Sequence, residues 1–169
     1  MENLNETIDK NYFYYFPNNF GGMTILYIAF RIASWIGFTD YYAIAMNGLL
    51  ATLAILLTIL ICKNLFGVNK SIWVLSLFLL SPSFYTFAPV FYTDSLSLIF
   101  PVLTFYLYLQ YTGSTTNKKK LAWAILIGLA VAIGALVKFT VIIVLFAIII
   151  YEICSKRLKA ALLLTYAVD

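Results

Sequence analysis

The sequence predicts an all-α, polytopic transmembrane bundle, and three observations predict it. Hydrophobic residues make up 63% of the 169-residue chain and charged residues only 11%, against roughly 25% charged in a soluble domain. Mean hydropathy is +0.95. The apolar residues gather into runs near the roughly 20 residues that a helix needs to cross hydrocarbon about 30 Å thick, and basic residues cluster between the runs.

Six apolar segments follow from this spacing: Phe20 to Phe38, Tyr41 to Cys62, Ser71 to Phe87, Ser95 to Tyr111, Leu121 to Val137 and Phe139 to Cys154. Residues 1–19 precede them as a polar and aromatic tail without the basic start, short apolar core and small-residue cleavage site of a signal peptide. Residues 39–155 read as a five-span core. Residues 156–169 read as a basic segment and the opening of a further span, so the bundle is expected to be incomplete at both ends.

The basic loops orient these spans. "KNLFGVNK" (Lys63, Lys70), "TGSTTNKKK" (Lys118, Lys119, Lys120) and "SKRLK" (Lys156, Arg157, Lys159) hold eight of the eleven basic residues. The positive-inside rule assigns all three to the cytoplasmic side, and five alternating spans satisfy that without conflict. "GFTD" (Asp40), "SPSFYTFAPVFYTD" and the Lys138 turn are then external. The net charge of +4 reflects these membrane-flanking lysines and lipid headgroups, not nucleic-acid binding.

The first apolar segment carries Thr24, Tyr27, Arg31 and Ser34 as one narrow polar stripe at i, i+3, i+7, i+10. Arg31 near its middle would cost at least about 2.5 kcal/mol in hydrocarbon. An amphipathic helix on the outer interface avoids that cost, and an ordinary sixth span is the other reading. The last two segments form a run too long for one crossing, interrupted only by Lys138 and Thr140, so the chain is expected to reverse there without help from Gly or Pro.

Histidine is absent, which removes imidazole bases, Ser/His and Cys/His pairs and His-ligated zinc. Cys62 and Cys154 each end an apolar run and read as free, buried thiols. What remains for chemistry converges on the outer side: Asp40, Asp94, Lys138 and, where the first segment lies on the interface and the tail is external, Glu6, Asp9 and Lys10. Carboxylates and amides with an opposing lysine suit a hard divalent cation such as Mg or Mn, or a phosphate-bearing substrate.

Each of these residues also has a plain structural role open to it. Asp94 begins an apolar helix and suits an N-terminal cap, Lys138 suits a snorkelling interface anchor, and "FPNNF" suits a Pro/Asn turn. Ala124, Gly128 and Ala132, with Ala130 and Gly134 beside them, form small-residue ridges that let helices approach closely.

The serial order of "YFPNNF", "LFG", "SPSFYTFAPVFYTDSLSLIF" and "GALVKFT" resembles the polytopic glycosyltransferases of the GT-C fold. It is most similar to the family 39-like bacterial members akin to protein O-mannosyltransferases and aminoarabinose transferases. The resemblance implies transfer of a sugar, with inversion, from a polyprenyl-phosphate-linked donor to an acceptor on the outer face of the bacterial cytoplasmic membrane.

It further implies that Asp94 of "YTD" is the catalytic-cavity carboxylate near the donor phosphate or a bound cation. Lys138 would contact the lipid phosphate, and Tyr92, Asn18 and Asn19 would line the substrate cavity. The family's first span and first-loop acidic residue lie upstream of the "YFPNNF"-like motif. Here only Glu6 and Asp9 precede it, so the chain is expected to be an internal fragment or truncated product, with Asp94 the one candidate base. A transporter or flippase fragment and a non-catalytic assembly protein are the alternatives.

Overall fold

A computed structural model describes residues 20–37, 42–82 and 93–155. Its helices are α1 (Phe20–Ile36), α2 (Tyr42–Phe66), α3 (Val68–Leu80), α4 (Thr93–Ser97), α5 (Ile99–Gly113), α6 (Asn117–Val137) and α7 (Ile142–Cys154), with a 3-10 turn at Phe139–Val141. No strand occurs among the described residues, and the chain is an all-α membrane bundle.

The outward faces of the helices identify their solvent. Leu49, Leu53, Leu56 and Leu60 on α2 form an exposed aliphatic stripe. So do Leu121, Ile125, Leu129, Ile133 and Leu136 on α6, and Ile143, Phe146 and Ile150 on α7. A helix equally apolar on both faces belongs in hydrocarbon. Thr52 and Thr58 donate to the carbonyls of Gly48 and Ala54 at 2.8 Å, which satisfies these two hydroxyls within the helix.

Three helical stretches are long and apolar enough to cross a bilayer: Ile44–Phe66, Asp94–Gly113 and Asn117–Val137. Val68–Leu80 and Phe139–Cys154 are shorter, about 20 and 24 Å at 1.5 Å per residue. The expected span from Ser71 to Phe87 therefore ends early. Ser81 is extended, at φ −85° and ψ 108°, because it precedes Pro82, whose ring disfavours a helical residue before it. Residues 83–92, including Tyr92, lie outside the described residues.

The expected loop "KNLFGVNK" shrinks to one residue. α2 runs through Lys63 to Phe66 and α3 restarts at Val68, with Gly67 between them at φ 87°, a conformation that a Cβ would disfavour. The expected helix from Ser95 to Tyr111 is broken after Ser97. Pro101 has no N–H to offer the Ser97 carbonyl one turn back, and its ring crowds that carbonyl.

α5, α6 and α7 form the core. Leu107, Tyr108 and Tyr111 pack with Ala124, Ile127, Ala130 and Val131 and with Leu145 and Ile148. The small residues of α6 make this possible. A Cβ on Gly134 would lie 2.6 Å from Phe100 Cβ and 2.7 Å from Val141 Cγ1, so only glycine admits α5 and the turn this closely. The buried stripe runs through Ala124, Gly128, Ala130 and Gly134, whereas Ala132 is exposed, because steps of four residues drift around a helix of 3.6 per turn.

α1 packs through Gly22 and Ala33, both buried. Thr24, Tyr27, Arg31 and Ser34 are all exposed, so the polar stripe points away from the bundle. Its N-terminus sits against the C-terminal end of α6, where a Cβ on Gly21 would come within 1.7 Å of the Leu136 carbonyl oxygen. Farther along, the Phe30 ring meets Tyr42 at the start of α2, with centroids 6.4 Å apart.

Candidate functional site

Lys138 ends α6. Its N–H donates to the Gly134 carbonyl at 2.8 Å, but its own backbone is extended, at φ −152° and ψ 118°, and this turns the chain. Its carbonyl then accepts from Val141 N–H at 3.0 Å, closing the 3-10 turn that leads into α7. The reversal expected without Gly or Pro is thus made by one extended residue followed by a tight turn.

Asp94 lies in the first turn of α4. Its carbonyl accepts Leu98 N–H and the Ser97 hydroxyl, both at 3.1 Å. Its carboxylate is not spent on capping: Oδ1 accepts a charge-assisted hydrogen bond from Lys138 Nζ. The Lys138 side chain is 25% exposed and that of Asp94 69%, so both charged groups remain reachable from outside the bundle. Two residues 44 apart in sequence are joined at one end of α6, while Lys118, Lys119 and Lys120 occupy its other end.

A second polar contact joins α5 to α7 at the opposite end. Tyr108 O–H donates to Glu152 Oε1 at 2.5 Å, again across 44 residues. Glu152 is fully buried and Tyr108 is 5% exposed. The Tyr108 ring stacks near Tyr111, with centroids 6.4 Å apart and planes 19° apart, and meets Tyr151 edge-on at 6.3 Å. Sequence reasoning passed over this pair. The signal available was a lone carboxylate inside the most apolar helix of the chain, which needs a buried donor.

Of the residues predicted for the site, Asp94 and Lys138 are brought together. Asn18, Asn19 and Tyr92 lie outside the described residues, as do Asp40, Glu6, Asp9 and Lys10. The chain enters α1 beside Leu136, two residues from Lys138. Among the described residues no group of three or more His, Cys, Asp or Glu side chains gathers for a metal ion. Asp94, expected to hold a divalent cation, has the Lys138 ammonium beside it. Cys62 and Cys154 are free thiols, Cys62 half-buried and Cys154, contrary to expectation, exposed at the end of α7.

Helices that are apolar on both faces, with ionisable groups paired at one end of the bundle, define a multi-pass membrane protein with an accessible charged site. The family model for dolichyl-phosphate-mannose-protein mannosyltransferases matches residues 22–168. The chain belongs to that family and is a membrane glycosyltransferase of the GT-C type. Neither a curated protein nor a solved structure gives a significant match.

Proposed function

We propose that the end of the bundle carrying Asp94 and Lys138 is the reaction face, turned to the outer side of a bacterial cytoplasmic membrane. There a sugar passes from a polyprenyl-phosphate carrier to an acceptor hydroxyl. The observation that carries this reading is the Lys138–Asp94 ion pair, exposed and opposite the Lys118–Lys120 end. An ion pair so exposed adds at most about 1 kcal/mol to stability, which makes a purely structural purpose a weak account of it.

In transfer, the donor phosphate replaces the Asp94 carboxylate as the partner of Lys138. The acceptor oxygen bonds to the anomeric carbon as the bond from that carbon to the phosphate oxygen breaks, and the electron pair leaves with the phosphate. The Lys138 ammonium stabilises the charge that grows on the leaving phosphate. Asp94, freed from its partner, takes the proton of the attacking hydroxyl. No step in this scheme needs a metal ion. Asn18, Asn19 and Tyr92 are assigned to the sugar and its carrier.

Two features support the outer face and the absence of a transport path. Arg31 lies on the exposed side of α1, not in a channel through the bundle. α1 begins beside Leu136 and meets Tyr42 through Phe30, so it links the reaction end of α6 to the start of α2, as a helix lying on the interface would. Membrane vesicles supplied with a labelled lipid-linked sugar test the roles: Asp94→Asn and Lys138→Met should each lose transfer, and normal transfer by either variant would sink the assignment. Reporter fusions after Asp40 and after Lys120 test the face separately; a cytoplasmic signal at Asp40 would reverse it.

A further inference from the structure

The depth of α7 against α5 is coupled to the Lys138 turn by a short connection, and its apolar packing is not directional. The connection is one extended residue and one 3-10 turn. The core that α7 joins through Leu145 and Ile148 also holds Leu107, Tyr108, Tyr111, Ile127 and Val131. A slide of one turn, about 5.4 Å, would reseat such side chains in neighbouring grooves at little cost in apolar area. It would also pull the Lys138 turn along the axis through the Val141 N–H bond to the Lys138 carbonyl, and a shift of that size takes Lys138 Nζ out of hydrogen-bond reach of Asp94.

One directional contact discriminates between these registers. The Tyr108–Glu152 and Asp94–Lys138 contacts both span 44 residues, so α5 and α7 run parallel and the two contacts measure the same alignment. They lie 14 residues apart along each strand of chain, about 21 Å. The outer contact is exposed and exchanges with water. The inner one is buried, and a slide would strand a phenol and a carboxyl in hydrocarbon. Glu152 Oε2 has no hydrogen-bond partner among the described residues, so Glu152 is held by Tyr108. The phenol is in turn oriented by Tyr111 and Tyr151. A buried polar pair that selects one register among near-equivalent apolar ones is a known use of such pairs in helical bundles.

We infer that Tyr108 and Glu152 are positioning residues: they set the depth of α7 against α5 and so hold the Lys138 ammonium beside Asp94. The register claim stands on geometry alone, and its consequence for catalysis rests on the role of Lys138 proposed above. The test is amine-reactive labelling of Lys138 in intact membranes, quantified by peptide mass spectrometry with Lys118–Lys120 as internal reference, in the wild type, Tyr108→Phe, Glu152→Leu and Glu152→Gln.

Tyr108→Phe and Glu152→Leu should raise Lys138 labelling several-fold relative to that reference. Glu152→Gln keeps a carbonyl oxygen for the Tyr108 hydroxyl and should label like the wild type. In transfer assays the first two should raise KM for the lipid-linked donor by about tenfold or more, with Glu152→Gln restoring it. Wild-type labelling in Tyr108→Phe, which keeps the ring and its packing, would overturn the proposal even if Glu152→Leu does not fold. So would Glu152→Gln behaving like Glu152→Leu. Altered labelling in a protein whose Lys138→Met variant still transfers sugar would leave the register standing and remove the catalytic reading.

Discussion

The two contacts that tie the α4–α5 stretch to the stretch from Lys138 through α7 share an offset of 44 residues and differ in environment. At one end Asp94 and Lys138 are charged, open to the outside and joined through the long, flexible Lys138 side chain. At the other, Tyr108 lies in the core with Leu107, Tyr111 and Leu145, and Glu152 is fully buried. The exposed pair contributes little to stability and gives up its partner readily, which suits the proposed exchange of Asp94 for a donor phosphate. The buried pair has no water to exchange with and keeps its geometry. The same two stretches of chain thus carry an exchangeable contact at the proposed reaction end and a fixed contact at the other.

Removing each contact should separate these roles. The largest effect is expected from Lys138→Met on transfer, a loss of about 10² to 10³ in rate, the usual cost of deleting one preorganised stabiliser of developing charge; single-turnover transfer in vesicles measures it. Next comes Gly134→Ala. The added Cβ would press on Phe100 and Val141 and should destabilise the bundle by about 1 to 3 kcal/mol, as overpacked cores do, seen as earlier unfolding in mixed micelles.

A smaller loss is expected for Tyr108→Phe. Hydrogen bonds between membrane helices average about 0.6 kcal/mol and reach about 1.7, and the same micelle titration reads the difference. Smallest is the stability change of Asp94→Asn, under about 1 kcal/mol, with an unfolding midpoint close to the wild type at high salt. If Asp94→Asn unfolded more easily than Tyr108→Phe, the contrast between an exchangeable and a fixed contact would fail.

Much of the architecture was legible before any coordinates. The helices coincide with the apolar runs because hydrocarbon requires every backbone group to be paired within a helix. Lys138 marks the reversal between α6 and α7 because it was the charged interruption of an overlong run. Boundaries were less legible. The α2–α3 pivot at Gly67 and the early end of α3 depend on single residues, Gly67 and Pro82, whose effect on φ and ψ overrides hydropathy.

Asp94 and Lys138 were singled out separately, by their position at the ends of runs. Neither Glu152 nor Tyr108 is singled out, and a tyrosine in a chain with 13 of them carries no mark of its own.

Hydropathy and the placement of lysines were enough to establish a membrane-embedded helical chain and the segments that make it up, because transfer into hydrocarbon is a property of each segment alone. The pairing of residue 94 with 138 and of 108 with 152 arose only when the α4–α5 stretch and the stretch from Lys138 through α7 were packed side by side. Axial register between two apolar helices depends on which polar groups meet, and that is a joint property of two segments that neither one contains.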